Sequence, residues 1–491
     1  MILIALSHES NVPLYKQVYK QLTDMIQLGT LLEGDQLPST RALADQLHVN
    51  RTTITRAYEE LWATGYLESR SGSYSYVRRR SPLVTANHSN DTNLINWHNI
   101  ADKTCDELHV DFHHHKLAKC PPGGFDFRTL SPDSRLMPID EFRKSINHVI
   151  KSQGAKLFGY GHASGYYPLR SLVSKQMALH GMAVRAEDVI ITNGAQEAIS
   201  LLVQLLAHSG KKIAIEAPTY SAAIPLFKLS SSKIINIPMT KVGMDLDVLQ
   251  HHLKKGDMAF VYTIPNFHNP TGITTPQSHR EQLIQLCETY HVPLLEDGFE
   301  EEMKYMGKQI MPIKSMDTKG IVIYLGTFSK ILFPGLRIGW IAAPKACINL
   351  LESLKHARHI ADDHLKQAAL VHFCQQGQFE KHIKRMHRIY RKRMQIALKT
   401  LRDQLTNEHI RYTKPLCGYT IWLTINRSNL DEEQVFSYLQ KNKILVSPGS
   451  HYYSGDHQDL SFRISIAQRN ESEVQNGISA LCSALNQMLT Q

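Results

Sequence analysis

The 491-residue chain has few cysteines and no long hydrophobic run, and both shortages exclude classes of protein. Its seven cysteines are scattered and none forms a Cys-x-x-Cys pair, which argues against a disulfide framework and indicates a reduced, cytoplasmic protein. No stretch approaches the ~20 apolar residues that a membrane helix needs, so we expect no membrane association. Residues 1–6 are too short and lack the basic leader of a secretion signal.

Groups of residues at metal-ligand spacing are also scarce. The run His113-His114-His115, close to Cys120, is a candidate group, but it lies in a loop-like stretch without a partner set at metal-ligand spacing. We therefore predict no metal site.

The charge is basic overall and unevenly placed. A net charge of +10 permits nucleic-acid binding, yet residues 1–80 hold nine Lys or Arg against eight Asp or Glu. DNA affinity in that region would therefore depend on where charges are placed. Much of the excess lies in residues 380–393, which we interpret as the solvated face of a helix.

The composition is that of a globular protein, with 42% hydrophobic and 20% charged residues. A chain of this length exceeds one ordinary core and indicates two or three domains. We predict a DNA-binding domain over residues 1–80, a linker over 81–125 and an α/β domain over 126–491. No internal repeat is visible.

The N-terminal region has the pattern of three helices and a hairpin. Pro13 and Gly29 bound the first helix, Ser39 caps the second and Asn50 caps the third. A hairpin turning at Gly72 follows, which completes a winged helix-turn-helix. The apolar face of the third helix is predicted to comprise Ile54, Ala57, Tyr58, Leu61 and Trp62.

The start of the third helix carries the chemistry that DNA requires. Arg51, Thr52, Thr53 and Thr55 present one cation and three hydroxyl groups where such helices meet bases and phosphates. The alternative is a three-helix module that binds protein, because one fold hosts many functions.

Beyond a polar segment rich in Ser, Asn, His and Asp that ends in Pro121-Pro-Gly-Gly124, apolar strands alternate with helical patterns. This predicts a doubly wound α/β sheet, and the last hundred residues indicate a smaller second lobe. The predicted strands are Val189–Thr192, Lys212–Ile215, Ala259–Tyr262, Pro293–Glu296 and Ile321–Leu325.

Lys330 is the most informative residue of this α/β region. It follows a predicted strand, and its amine can form a Schiff base with an aldehyde cofactor. Thr327, Ser329 and Arg337, seven residues further on, can hold a phosphate, with the arginine as a two-pronged clamp. The alternative for Lys330 alone is a surface lysine near a helix start.

Other residues at predicted strand ends fit the same cofactor. Asp297 can keep a pyridine nitrogen protonated, Asn269 can donate to a phenolate oxygen, and Tyr220 can stack on a ring. The turn Asn193-Gly-Ala195-Gln196 opens a helix, whose positive end favours a phosphate. Open α/β sheets bind ligands at these strand ends.

These motifs resemble two known families. The C-terminal ~365 residues look like fold-type I pyridoxal-5′-phosphate aminotransferases, including the 33-residue separation between Asp297 and Lys330. Residues 12–77 resemble the GntR-type winged helix through Leu37-Pro-Ser-x-Arg41 and Arg51-x-Thr. Their fusion in this order resembles the MocR/GabR-like bacterial transcriptional regulators, which implies double-stranded operator DNA as a partner.

The resemblance implies roles for named residues. Lys330 becomes the catalytic Schiff-base lysine, Tyr160 reaches the phosphate of a partner subunit in a homodimer, and Arg463 clamps a substrate α-carboxylate. The implied cofactor contacts are Lys330, Asp297, Asn269, Tyr220, Ala195, Gln196, Thr327, Ser329, Arg337 and Tyr160. The predicted DNA-binding residues are Ser39, Arg41, Arg51, Thr52 and Gly72.

One position departs from the pattern of the subfamily. Phe299 stands where a tyrosine usually follows the aspartate by two residues, so one donor to the phenolate is lost. We predict a transcriptional regulator that senses a small amine or amino acid through aldimine exchange at Lys330. The alternatives are an active aminotransferase with an accessory N-terminal domain, and a dimerisation scaffold without cofactor.

Overall fold

A computed structural model describes residues 2–7, 10–70, 74–78, 96–114, 119–307, 310–426, 430–457 and 459–490. The chain divides into two compact units, Met1–Ala101 and Asp102–Gln491. Each unit has its own buried hydrophobic residues.

The first unit contains the three predicted helices and the predicted hairpin. Its elements are α1 (Leu14–Gln27), α2 (Thr40–Leu47), α3 (Arg51–Ala63), the antiparallel strands β1 (Leu67–Arg70) and β2 (Tyr74–Val77), and α4 (Trp97–Ile100). The Ser39 hydroxyl accepts from Ala42 N at 3.1 Å and Asn50 Oδ1 accepts from Thr52 N at 2.9 Å, so both predicted caps are present. The predicted turn residue Gly72 lies outside the described residues.

The core of this unit follows the helical pattern with one exception. Val18, Leu22, Leu43 and Ile54 are fully buried. Trp62, which we expected on the apolar face of α3, is 42% exposed, and that expectation was wrong. At ~100° per residue, Trp62 lies about 80° from Ile54 around the helix, at the edge of the buried stripe.

The second unit is built on a seven-stranded sheet in the order β4-β10-β9-β8-β7-β5-β6. Only β10 runs antiparallel to its neighbours. All five predicted strands are found; β6 and β10 were not predicted. The strands are β4 (Val189–Thr192), β5 (Lys212–Ala217), β6 (Lys233–Pro238), β7 (Met258–Thr263), β8 (Leu294–Asp297), β9 (Val322–Thr327) and β10 (Gly339–Ala342).

Helices cover both faces of this sheet, which confirms the doubly wound fold. Alternate residues of β7 enter two different cores, Phe260 on one side and Val261 on the other, because neighbouring side chains of a strand point to opposite faces. The helices of the unit up to the small lobe are α5 (Lys103–His114), α6 (Ile139–Gln153), α7 (Tyr167–Leu179), α8 (Ala195–Leu206), α9 (Ile224–Lys228), α10 (Leu246–Leu253), α11 (Gln277–Thr289), α12 (Lys345–His359), α13 (His364–Gln375) and α14 (Gln378–Gln404).

A four-stranded antiparallel sheet, ordered β11-β12-β15-β14, forms the predicted smaller lobe. A short strand β3 pairs in parallel with β13, which joins the start of the α/β region to this lobe. The elements are β3 (Phe125–Asp126), β11 (Ile410–Tyr412), β12 (Thr420–Ile425), α15 (Glu432–Lys441), β13 (Ile444–Leu445), β14 (Ser447–Pro448), β15 (Leu460–Ser465) and α16 (Glu471–Thr490).

Two segments differ in detail from their sequence-based interpretation. The predicted linker, residues 81–125, contains α4 and α5, and α5 belongs to the second unit. The basic run lies on α14, where Lys384, Arg385 and Arg388 are exposed as expected. Arg393 is instead buried and forms an ion pair with Asp133 at 2.7 Å.

None of the helices that the structure describes combines the length and the apolar character of a membrane-spanning segment. Among the same residues, no group of three or more His, Cys, Asp or Glu side chains is arranged to hold a metal ion. The side chains of the run His113-His114-His115 lie outside those that the structure describes.

Candidate functional site

Nine of the ten predicted cofactor residues line one cavity of about 80 Å³ in the second unit. It lies where β8 and β9 end and α8 begins, which is the edge at which such sheets bind ligands. Its lining is Ala195, Gln196, Tyr220, Asn269, Asp297, Phe299, Thr327, Ser329, Lys330, Pro334 and Arg337.

Lys330 follows β9 closely and is held by a backbone contact. Its Nζ donates to the carbonyl oxygen of Leu130 at 2.9 Å. Burial lowers the pKa of the Lys330 amine to about 8, although the nearby Glu300 acts in the opposite direction. A substantial fraction of the amine is therefore neutral near pH 8, and the neutral form is the nucleophile.

Asp297 ends β8 and is buried, with an exposed fraction of 2%. The Tyr262 hydroxyl donates to Asp297 Oδ2 at 2.6 Å, whereas Oδ1 is buried without a partner. Burial raises the pKa of this carboxyl to about 6. An unpaired buried oxygen is costly, and a protonated ring nitrogen is the partner that would satisfy it.

The phosphate end of the cavity is formed by the start of α8 and by Arg337. Gly194 precedes the helix with φ +82°, and a Cβ added there would meet Arg337 Nη2 at 2.6 Å. Arg337 Nη2 also donates to the Asn193 carbonyl oxygen at 2.9 Å. The Ser329 hydroxyl is buried without a partner. Free backbone amides, a guanidinium and a free hydroxyl are the donors that a phosphate needs.

Asn269 connects the cavity to Arg463, which is not part of the cavity wall. Arg463 Nη1 donates to Asn269 Oδ1 at 2.9 Å. Because a guanidinium only donates, the amide oxygen of Asn269 has to face it, and the amide nitrogen is turned to the other side. Arg463 also donates to the Arg128 carbonyl oxygen and lies over the Tyr452 ring, 5.3 Å from its centroid.

Two aromatic residues were predicted to contact the cofactor, and the structure places them differently. Tyr220 lines the cavity, and burial raises the pKa of its hydroxyl to about 12. The turn that follows it is held by Gln196 Nε2, which donates to the Ala222 carbonyl oxygen at 2.6 Å. Tyr160 is 90% exposed and does not line the cavity of its own chain.

Sequence reasoning missed two residues of this region. Pro334 lines the cavity from the short turn Pro334–Leu336. Glu300 is 1% exposed, and neither of its carboxylate oxygens has a hydrogen-bond partner. Burial raises its pKa to about 8. The sequence signal for Glu300 was its position three residues after Asp297, inside the acidic run Glu300-Glu301-Glu302.

The predicted DNA-contact side chains lie in the first unit. Arg41, Arg51 and Thr52 are exposed at the starts of α2 and α3. Arg51 Nε donates to the Thr40 hydroxyl at 3.4 Å, which ties the two helices together. The Thr52 hydroxyl donates to Asn50 Oδ1 at 2.9 Å, so its hydrogen is already used in the helix cap.

Comparison with known proteins finds likenesses for both units. Residues 130–481 match the family model described as aminotransferase class I and II, and residues 14–77 match that of bacterial regulatory proteins, gntR family. YisV, an uncharacterized HTH-type transcriptional regulator of Bacillus subtilis, is 28% identical over 98% of both chains.

A second regulator and a solved aminotransferase structure are also similar to this chain. The probable rhizopine catabolism regulatory protein MocR of Rhizobium meliloti is 26% identical over 98% of this chain and 96% of its own. LysN, an alpha-aminoadipate aminotransferase of Thermus thermophilus, was crystallised with N-(5′-phosphopyridoxyl)-L-leucine. Its structure matches with a TM-score of 0.74 at 27% identity, covering 81% of this chain and 100% of LysN.

Proposed function

Since this chain belongs to the aminotransferase class I and II family and carries a gntR-family region, we propose that it is a transcriptional regulator that senses a small amine or amino acid at Lys330. The predicted architecture, a GntR-type regulator fused to an aminotransferase-like domain, is confirmed by the two matched regions and by the likeness to MocR. Beyond this architecture, we propose that an effector binds at Lys330, that the first unit binds an operator, and that the two events are coupled.

The observation that carries this proposal is the set of unpartnered groups at the two ends of one cavity. Asp297 Oδ1 at one end and the Ser329 hydroxyl at the other are buried without partners. Gly194, without a side chain, lets the Arg337 guanidinium lie against the start of α8. Pyridoxal 5′-phosphate has a basic ring nitrogen and a phosphate at opposite ends of one molecule, so these residues fit it.

The protein groups have separable tasks at this site. Asp297 would hold the ring nitrogen protonated, and Arg337, Ser329 and the start of α8 would bind the phosphate. Pyridoxal phosphate, when bound, supplies an aldehyde carbon that condenses with amines. Lys330 would present a largely desolvated amine to that carbon, and it is the group with which an effector amine would compete.

Arg463 is positioned to recognise an acidic group on the effector. Arg463 is 6% exposed, and its Nε is buried without a partner. A guanidinium binds a carboxylate through two parallel hydrogen bonds. An amino acid would therefore engage Lys330 and Arg463 together, whereas a simple amine would engage Lys330 alone.

A second copy of the chain is part of the proposal. Phe158 and Tyr160 are 65% and 90% exposed, two residues apart on one loop, and a partner subunit would cover them. We place Tyr160 at the phosphate of a partner subunit. A homodimer would also present two winged helices to two half-sites of a promoter operator, and we place the protein in the cytoplasm, where that DNA is.

Regulation requires that the effector binds two conformations of the protein unequally. The test is footprinting of the full-length protein on its own upstream DNA, with and without pyridoxal phosphate and a panel of amino acids and amines. We expect a protected site whose affinity changes with one class of amine. Absence of a specific footprint under every condition would contradict the proposal.

A working aminotransferase is the second candidate, because Lys330, Asp297 and Arg463 all remain. Transamination needs Lys330 to move a proton as well as to hold the cofactor. Steady turnover of an amino acid with a 2-oxo acid, abolished by Lys330→Ala, would favour this candidate. A single half-reaction would not.

A further inference from the structure

Glu216 is a buried carboxylate outside the cavity whose contacts join two of its walls. It lies in β5, is 1% exposed and is fully engaged. Oε1 accepts from the Thr263 hydroxyl at 2.6 Å, and Oε2 accepts from Ile264 N at 2.9 Å. His268 Nε2 lies 3.2 Å from the same Oε2, within ion-pair distance but without the geometry of a hydrogen bond.

His268 is equally buried, and its other nitrogen fixes the state of the ring. Thr271 N donates to His268 Nδ1 at 3.4 Å, and the Thr271 hydroxyl lies 2.8 Å from the same atom. A backbone N–H can only donate, so Nδ1 is the acceptor and Nε2 carries the hydrogen. That hydrogen is on the nitrogen that faces the Glu216 carboxylate.

Glu216 and His268 lie next to or within two turns that reach the cavity. Glu216 precedes Tyr220 by four residues, and His268 adjoins Asn269. Tyr220 and Asn269 both line the cavity. One carboxylate therefore sets the relative position of a ring-stacking wall and a polar wall that come from different strands.

The same two turns also support Arg463 from two sides. Asn269 Oδ1 accepts from Arg463 Nη1 at 2.9 Å. In the other turn, Thr219 N donates to the Tyr452 carbonyl oxygen at 2.8 Å, and the Tyr452 ring lies under the Arg463 guanidinium. The two contacts that hold Arg463, through Asn269 and through Tyr452, thus both involve turns that Glu216 adjoins or contacts.

We propose that Glu216, acting through His268, is a positioning residue that holds Asn269, Tyr452 and Arg463 in the arrangement that recognises a carboxylate. It touches neither cofactor nor effector. The inference rests on the proposed cofactor site and is independent of DNA binding. Its consequence is that the preference for ligands bearing a carboxylate depends on a residue outside the pocket.

The experiment compares two stable ligands that occupy the site without any reaction. N-(5′-phosphopyridoxyl)-L-alanine and N-(5′-phosphopyridoxyl)ethylamine differ only by the carboxylate. Their dissociation constants are measured by protein fluorescence in the full-length apo protein. We expect the wild type to bind the alanine compound more tightly, and Glu216→Gln to reduce that preference by about 10-fold, the scale of one charge-assisted hydrogen bond.

Glu296→Gln is the matched control. Glu296 is also 1% exposed at a strand end, and it accepts hydrogen bonds from two backbone amides, Ile313 N at 2.8 Å and Lys314 N at 2.7 Å. Neither of these partners belongs to the turns that contact Arg463. We expect a comparable loss of thermal stability and an unchanged carboxylate preference. His268→Asn is a second variant in the pair, and it should reduce the preference as Glu216→Gln does.

A further comparison separates positioning from general destabilisation. In an Arg463→Lys background, Glu216→Gln should cause little additional loss of preference, because coupled residues are not additive. An unchanged preference in both Glu216→Gln and His268→Asn would overturn the inference, as would an equal effect in Glu296→Gln. A wild type that binds neither compound would instead refute the cofactor site, and one that binds both equally would refute carboxylate recognition by Arg463.

Discussion

The Tyr262 hydroxyl donates to Asp297 Oδ2 at 2.6 Å and leaves Asp297 Oδ1 buried without a partner. The protein thus orients this carboxylate with the Tyr262 hydroxyl, the Phe299 backbone amide also lowers its pKa, and among the described residues no cation forms an ion pair with it. Burial accordingly raises the pKa of Asp297 to about 6. Such a carboxylate is costly for the empty protein and favourable once a cation lies against it.

Asp297→Asn should therefore weaken cofactor binding while sparing the empty protein. Above pH 6 the native carboxylate is charged and bears the cost of burial, so the apo variant should be at least as stable as the apo wild type. Below about pH 4, near the unperturbed pKa of an aspartate, this difference should vanish because both are neutral. Melting temperatures at pH 4 and 8, with and without pyridoxal phosphate, measure both effects.

The cofactor should stabilise the wild type against heat and the Asp297→Asn variant much less, by mass action on the folded state. Equal stabilisation of both proteins by pyridoxal phosphate would show that Asp297 does not face the ring nitrogen.

The lowered pKa of Lys330 predicts the pH dependence of cofactor capture. Since the neutral amine is the nucleophile, the rate of absorbance change on mixing apo protein with pyridoxal phosphate should rise with pH and level off above a midpoint near 8. A midpoint near about 10.4, the ordinary value for lysine, would contradict the burial of this amine.

The same shift makes a prediction about stability. The unfolded chain keeps Lys330 protonated up to its ordinary pKa, whereas the folded protein releases that proton near pH 8. The unfolded state therefore binds more protons between these values, so this group makes the apo protein more stable as pH rises through that window. In Lys330→Met this contribution should be absent, as followed by denaturant unfolding at pH 8 and pH 10.

Phe299→Tyr should restore a hydroxyl beside the ring oxygen of the cofactor. Phe299 lines the cavity and is 7% exposed. A donor to the phenolate favours its charged form, so the pH midpoint of the bound cofactor's absorbance should fall, by about one unit for one hydrogen bond to a charged group. A spectral titration measures the shift. An unchanged midpoint would place the new hydroxyl out of reach of the ring oxygen.

The sequence predicted most of the large sheet and the cofactor cavity because both depend on local signals. The five predicted strands are short apolar runs buried on both faces, as in β7. Strand β6 was missed because only one of its residues, Ile237, is buried. Most of the cavity residues lie within about four residues of the end of a predicted strand, so the ends of those strands locate them.

Contacts between distant parts of the chain were not accessible in the same way. Arg463 and Asn269 are 194 residues apart, and their pairing depends on how the small lobe lies against the sheet. Glu216 lies in β5 and His268 in the turn after the neighbouring strand β7, and single residues of this kind carry no sequence signal. The exposure of Trp62 was missed for a simpler reason, because a helical pattern does not define the width of the buried stripe.

Gly194→Ala should damage the phosphate end of the cavity. Its φ of +82° disfavours any side chain, and the new methyl group would lie 2.6 Å from Arg337 Nη2. We expect a loss of stability of about 1–3 kcal/mol and weaker binding of pyridoxal phosphate. Thermal melting and a cofactor titration measure the two effects.

Gly210→Ala is the matched control for backbone strain. Gly210 has φ +83°, but a Cβ there meets nothing within 4 Å. It should lose stability through strain alone and keep its cofactor affinity. If the two variants bind pyridoxal phosphate equally well, the crowding of Arg337 has no role in phosphate binding.

Arg51→Ala should weaken binding to operator DNA, because this exposed cation stands at the first position of α3. A base or phosphate contact by arginine contributes about 1–3 kcal/mol, or roughly a tenfold or greater loss of affinity. Titration of the labelled upstream DNA at two salt concentrations measures the loss and its salt dependence. If Arg51 contacts a phosphate, the slope against salt should decrease by about one released counterion.

Arg56 on the same helix provides the control, because its guanidinium lies 4.0 Å from the centroid of the Tyr15 ring. Arg56→Ala removes the same charge but should mainly reduce stability, by about 0.5–1 kcal/mol for an exposed cation–π contact. If Arg51 reads the operator, its removal weakens binding far more than removal of Arg56. Equal losses in the two variants would mean that α3 contributes only general positive charge to DNA binding. No loss in either variant would favour the interpretation of the first unit as a protein-binding module.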